Sequence, residues 1–317
     1  MMLRLIACFL FFCSALAQAA SPSVLQRPIE LQTEQGRLHG TLLLPKSSKP
    51  VPVVLIISGS GPTDRDGNNP EGGRNDSLKK LAVLLARNHI ASVRYDKRGV
   101  ATGLQATPDE RDLSVEGYVA DAVAWSRQLK ADPRFGPLIV LGHSEGALIA
   151  SLAAPQAQAA GVISLSGSGR PLAEVLREQI KERLPVELQA RSNQLIDRLD
   201  AGQFDPDVPE PLQVLFRPSV QPYLITLLRQ DPAKAFARLK VPALIVQGRN
   251  DIQVGVGDAE ALQRAKPDAQ LALIDGMNHV LRIVPMDIKA QLQSYRDPNR
   301  PLADQLGRVV VDFIGTL

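Results

Sequence analysis

Leu138-Ile139-Val140-Leu141-Gly142-His143-Ser144-Glu145-Gly146-Ala147-Leu148-Ile149-Ala150 joins an unbroken apolar run to a Gly-x-Ser-x-Gly, which passes straight into an Ala-rich run of helical character. The reading is strand, sharp turn, helix. A short apolar run bounded by turn residues suits a parallel strand buried on both faces, and a serine on the tight turn after it lifts its hydroxyl above the sheet. Gly142 and Gly146 are small because strand and helix nearly touch there. The five-residue pattern alone also fits a plain strand-to-helix turn, so its meaning depends on what stands beside it.

Upstream, Ile29 to Pro45 alternates around Glu34-Gln35-Gly36 and predicts an antiparallel hairpin. His39 lies in it as a surface strand residue. Val53-Val54-Leu55-Ile56-Ile57 is apolar enough for a central parallel strand, and the Gly-rich loop Ser58-Gly59-Ser60-Gly61-Pro62-Thr63-Asp64-Arg65-Asp66-Gly67-Asn68 leaves its carboxyl end. Leu78, Leu81, Ala82 and Leu85 fall at helical spacing, with a stop near Asn88 and His89. Ala91 to Asp96 is a strand leading into Lys97-Arg98-Gly99. Ser114 then caps a helix whose Val115, Tyr118, Val119, Ala122 and Trp125 share one face, which makes Trp125 a core residue.

Downstream, Gly161 to Ser166 is a further strand. From Gly169 to Leu239 the alternation stops, and amphipathic helices broken by prolines predict an inserted helical cap over residues 169–239. Arg177, Lys181, Glu182 and Arg183 read as solvated helix faces. Val175, Leu176, Ile180 and Leu184, like Leu224, Leu227 and Leu228, recur at helical spacing. These faces either pack on one another, bury against the main domain or line a pocket. Val241 to Gly248 restores the sheet, a helix follows near Asp258 to Ala265, then a strand from Gln270 to Ile274, an irregular polar stretch around Ser294 to Pro301, and a closing helix from Leu302 to Ile314. Strand and helix in alternation predict an α/β fold with a doubly wound, mostly parallel sheet, its core divided between residues 20–168 and 240–317.

The chain has 317 residues, 44% of them hydrophobic, enough for one large domain with an insertion. Lys+Arg 36 against Asp+Glu 33, evenly spread, argues against a nucleic-acid partner. Arg4 precedes an apolar run from Leu5 to Leu16 that ends in Ala17-Gln18-Ala19, so residues 1–19 read as a secretory signal peptide and the mature protein as periplasmic or secreted. The run is too short to span a bilayer, and no later run is long enough for stable membrane insertion. Both cysteines, Cys8 and Cys13, lie in this leader, which leaves the mature chain without a disulfide or a Cys-based metal site.

Ser144, Asp251 and His279 stand just beyond the carboxyl ends of three predicted parallel strands, in the order serine, acid, histidine. Strand ends of one parallel sheet share a rim, so residues distant in sequence converge there. Acyl transfer needs these three types. The serine hydroxyl is a weak nucleophile until an imidazole takes its proton, and a buried carboxylate must hold that imidazole in the right tautomer. Asp275 competes for the acid role. Asp251 is preferred because it follows its own strand as Gly-x-x-Asp, while Asp275 shapes a turn with Gly276. The oxyanion donors are expected to be the backbone N–H groups of Glu145 and Ser60. The Glu145 side chain needs no role in this chemistry.

With these residues in view, the chain resembles the α/β-hydrolase family over almost its whole mature length. Gly142-His143-Ser144-Glu145-Gly146 is similar to its nucleophile elbow, Gly248-Arg249-Asn250-Asp251 to its acid loop and Gly276-Met277-Asn278-His279 to its histidine loop. The Ser58–Asn68 loop looks like that of bacterial, often exported esterases of the family, although many relatives carry His at the position of Ser58. The resemblance implies an α/β-hydrolase fold and hydrolysis of small carboxylic esters through an acyl-enzyme, without metal or organic cofactor. A serine peptidase or amidase with the same triad is the alternative, and a non-catalytic binding module on the same fold a more distant one.

Overall fold

The computed structural model describes residues 24–107 and 109–317, without the side chains of Glu182 and Arg183. The expected leader with Cys8 and Cys13 lies outside the described residues.

Strands β1 (Val24–Thr33) and β2 (Gly36–Pro45) form the predicted hairpin, begun five residues earlier than the alternation suggests. The chain continues through β3 (Val51–Ile57), α1 (Ser77–Arg87), β4 (Ala91–Tyr95), α2 (Val115–Lys130), β5 (Phe135–His143), α3 (Glu145–Ala157) and β6 (Gly161–Leu165). Helices α4 (Leu172–Arg183), α5 (Val186–Asp200), α6 (Gln213–Phe216), α7 (Gln221–Leu228) and α8 (Pro232–Ala237) follow. The chain ends with β7 (Ala243–Gly248), α9 (Val256–Ala265), β8 (Gln270–Ile274), α10 (Ile288–Ser294) and α11 (Asp304–Gly315). The eight strands make one sheet in the order β1-β2-β4-β3-β5-β6-β7-β8. Only β1/β2 and β2/β4 pair antiparallel, and every other pair is parallel.

Alternate residues of the central strands feed two cores, because successive side chains of a strand point to opposite faces. Val53, Leu55 and Ile57 pack with α2, α3 and α9 on one side. Val54 and Ile56 pack with α1 and α11 on the other. Trp125 is fully buried against the Tyr95 ring at 5.6 Å, as its place on the apolar face of α2 predicts. Ser114 caps that helix, its Oγ accepting the Gly117 N–H at 3.0 Å. His39 lies on the hairpin beside Glu30, and His89 is exposed just past α1 with a positive φ.

The helices between β6 and β7 mostly satisfy their own apolar faces. Leu176, Ile180, Leu184, Leu195, Phe216, Leu224 and Leu228 share one cluster. Tyr223 and Leu227 of α7 instead join the main core, where the Tyr223 ring meets Tyr118 of α2 edge-on at 5.5 Å. The Thr226 hydroxyl also accepts the Val115 N–H at 3.1 Å, so α7 holds this segment to the sheet domain together with α8, whose Ala235 and Phe236 join the same core.

Helix α10 was not expected from the apolar spacing. Its Ile288 and Leu292 are 60% and 57% exposed, while Gln291 and Ser294 are fully buried. A hydrophobic-periodicity reading cannot find a helix whose inward face is polar. That face is turned toward the loops of Asp251 and His279.

Candidate active site

Ser144 occupies the turn between β5 and α3 with φ 55° and ψ −123°, a conformation that costs an L-residue of order 1–3 kcal/mol. It is held from both sides. Its N–H donates to Leu165 O of β6 at 2.9 Å, and its carbonyl accepts the Ala147 N–H at 2.9 Å. The two glycines are dictated by close approach: a Cβ on Gly142 would stand 1.9 Å from Gly146 O, and one on Gly146 2.4 Å from Ile57 O. Strand β3, strand β5 and helix α3 are thereby pressed together around the serine.

Asp251 follows β7 and His279 follows β8. The Asn250 N–H donates to Met277 O at 3.0 Å and the Asn250 side chain to Val284 O at 2.7 Å, which fastens the acid loop to the histidine loop. His279 Nδ1 lies 2.8 Å from Asp251 Oδ2, both side chains being almost fully buried. With the carboxylate ionised, Nδ1 carries the proton and donates, which leaves the Nε2 lone pair free to accept another. Burial pushes the Asp251 carboxyl up. The adjacent His279 charge, its hydrogen bond and the N–H groups of Val254 and Gln253 outweigh that and hold it below the usual carboxylate value.

Three buried amides support this pair. Gln247 Nε2 donates to Asp251 Oδ2 at 3.1 Å and to Val254 O at 2.8 Å. Asn278 Nδ2 donates to Ser294 Oγ at 2.7 Å and Gln291 Oε1 at 3.2 Å, and Gln291 Nε2 to Asn250 O at 3.1 Å and Pro285 O at 2.9 Å. The polar face of α10 thus braces the residues next to both Asp251 and His279. Asp275, the competing acid, is 90% exposed and pairs with Arg249 at 2.8 Å.

His143, immediately before Ser144, is buried and its Nε2 lies 2.8 Å from the backbone oxygen of His279. A carbonyl can only accept, so Nε2 carries the proton. Burial first, and the neighbouring His279 second, lower the His143 pKa to about 3, which keeps its ring neutral. This bond brings the serine turn and the histidine loop together. Among the described residues Ser144 Oγ is not itself hydrogen-bonded to His279.

Of the two expected oxyanion donors, Glu145 opens α3, where first-turn N–H groups have no intrahelical acceptor. Ser60 lies in the loop after β3, beside Gly59. A Cβ on Gly59 would stand 3.1 Å from Ser144 Cβ, so this loop borders Ser144.

Residues 53–288 match the Alpha/beta hydrolase family. The chain belongs to that family. Among its relatives, this alpha/beta hydrolase is 30% identical over 251 residues to Esterase EstD of Thermotoga maritima, a match covering 77% of the chain. The chain spans 58% of EstD's length. The fold is similar to that of Est1E from Butyrivibrio proteoclasticus with ferulic acid bound, at TM-score 0.59 and 18% identity, over 90% of this chain and 99% of that one. It is also similar to the esterase domain of a Rhodothermus marinus protein, at TM-score 0.55 and 17% identity, over 92% of this hydrolase and 100% of that domain.

The apolar pattern reveals the strand ends, and with them Ser144, Asp251 and His279. It does not reveal His143, Gln247, Gln291 or Lys97. His143 stands inside the Gly-x-Ser-x-Gly, Gln247 is the last side chain of an otherwise apolar strand, and Lys97 follows a buried strand. A polar residue where the pattern calls for an apolar one was the available signal.

Proposed function

We propose that the protein is a serine hydrolase that cleaves small carboxylic esters. Ser144 Oγ attacks the ester carbonyl while His279 Nε2 takes its proton, and Asp251 keeps the imidazole in the required tautomer and stabilises its charged form. The N–H groups of Glu145 and Ser60 receive the oxyanion. His279 returns the proton to the departing alcohol, and water repeats the sequence on the acyl-enzyme to release the acid. The 2.8 Å contact between His279 Nδ1 and Asp251 Oδ2, buried beside a strained serine turn, carries this reading. The likeness to EstD supports the ester as the substrate class.

Treating the protein with a fluorophosphonate is expected to label Ser144 alone, and p-nitrophenyl butyrate to be hydrolysed with loss of both properties in Ser144→Ala. Faster turnover of a matched anilide than of the ester would reassign the enzyme as an amidase. We also infer that residues 1–19 direct export to the periplasm or medium and are removed. The N-terminal sequence of the secreted protein tests this, and a mature chain retaining Met1 refutes it.

A further inference from the structure

Lys97 lies just past the end of β4 and is almost completely buried. Among the described residues no carboxylate forms an ion pair with it. Its ammonium instead gives its donors to one loop: to Gly59 O, to Ser58 Oγ at 3.3 Å and to Ser58 O at 3.5 Å. The Tyr118 ring lies 5.7 Å away. Burying a cation is costly unless its donors are well placed, and a hydrophobic side chain would fill the same volume at lower cost. The placement therefore calls for a reason beyond packing.

The accepting group supplies one. Gly59 O and the Ser60 N–H belong to the same peptide unit, which is trans, so carbonyl and N–H point in opposite directions. The group that Lys97 grips is the back of the amide expected to receive the oxyanion. A cation on the carbonyl polarises the amide and makes its N–H a stronger donor, since linked hydrogen bonds strengthen one another in a low dielectric. It also fixes the plane of that amide before the reaction begins, so no reorganisation is needed as charge develops.

We propose that Lys97 is a positioning residue for the oxyanion hole, acting through the Gly59–Ser60 peptide on the negative charge that develops in the transition state. The inference rests on Ser144 being the nucleophile. Burial lowers the Lys97 pKa below the usual lysine value, and the negative charges of Glu145 and Asp96 work in the opposite direction, toward the ammonium. Tyr118 and neutral His143 are the other titratable groups near it.

The test compares Lys97→Met, which keeps bulk and removes charge and donors, with Lys97→Gln, which keeps a neutral donor. Each is assayed for kcat and KM on p-nitrophenyl butyrate and for affinity toward a trifluoromethyl ketone, whose hemiketal carries the oxyanion. Lys97→Met is expected to lower kcat roughly 10- to 100-fold with KM within about twofold, less than the roughly 10²- to 10³-fold loss on removing an oxyanion donor outright because the Ser60 N–H remains, and to weaken the ketone by a matching factor. Lys97→Gln should fall between it and the wild type. A folded variant of either kind with wild-type kcat and ketone affinity overturns the proposal, and so does a loss confined to KM. If Lys97→Met does not fold, Lys97→Gln decides alone by the same two measurements. Failure of the fluorophosphonate to label wild-type Ser144 defeats the underlying reading instead, whatever the lysine variants do.

Discussion

His143 Nε2 donates to the backbone carbonyl of His279 at 2.8 Å, with the two ring centroids 4.8 Å apart. The residue before the proposed nucleophile therefore holds the main chain of the proposed base, while Asp251 holds its side chain. The two constraints are independent, and each is open to a separate test.

The first concerns acid stability. His143 has a folded pKa of about 3 against an unfolded value of 6.5. Below 6.5 the unfolded chain takes up a proton that the folded chain refuses, so the stability tied to this ring is fully present above about pH 6.5 and is lost as pH falls toward 3. The slope is about 1.4 kcal/mol per pH unit. Between pH 7 and pH 5 the wild type should lose about 2 kcal/mol more than His143→Gln, measured by urea unfolding at the two pH values. Parallel losses in the two proteins would show that His143 titrates normally.

The acid is tested by Asp251→Asn, which should lower kcat by roughly 10⁴-fold because an amide favours the wrong imidazole tautomer. Asp275→Asn should leave kcat within about twofold, since an exposed ion pair with Arg249 contributes little. Steady-state kinetics on one ester ranks the two.

Strain at the elbow gives a prediction about stability alone. With φ 55° at residue 144, glycine adopts the backbone freely, whereas alanine bears the same Cβ strain as serine. Both Ser144→Gly and Ser144→Ala should be inactive, with the glycine variant more stable by about 1 kcal/mol in chemical denaturation. The usual order of the two residues beside a helix would be reversed.

The polar face of α10 predicts the effect of Gln291→Leu. This change removes the donors to Asn250 O and Pro285 O, which are partly buried, and the buried acceptor of Asn278 Nδ2. An unsatisfied buried group costs about 1–3 kcal/mol, but water still reaches the two carbonyls in part and Asn278 Nδ2 keeps Ser294 Oγ, so a loss of about 2–4 kcal/mol is expected together with a lower kcat. Denaturation midpoints and the rate of fluorophosphonate labelling follow the two effects separately.

The core strands and the three strand-end residues were legible in the sequence because buried parallel strands are apolar runs and the residues that end them are not. Val53 to Ile57 and Leu138 to Leu141 show this plainly. Asp251, singled out by its place after β7, lies beside His279, while Asp275 is exposed. What escaped was whatever runs against hydrophobic patterning. Helix α10 hides its polar side chains and exposes Ile288 and Leu292, and Lys97 and Gln247 are polar groups in the interior whose partners are distant in sequence or set by local fold. Apolar spacing also could not tell whether Leu176, Ile180 and Leu184 face a pocket or one another; they pack within their own cluster.

Strands β6 and β7 are hydrogen-bonded neighbours, with Leu165 opposite Val246, yet five helices separate them in the chain. Because the two strands run parallel, the segment leaves at the carboxyl end of β6 and crosses back to enter at the amino end of β7, where Ala243 stands opposite Val162. Closing a loop between fixed posts grows only slowly more costly as the loop lengthens, by about 0.6 kcal/mol for each doubling. Residues can accumulate, vanish or be exchanged between those posts while Ser144, Asp251 and His279, which follow β5, β7 and β8, keep their spacing. The helical segment can thus vary in descent without disturbing the strand-borne chemistry proposed for Ser144, Asp251 and His279.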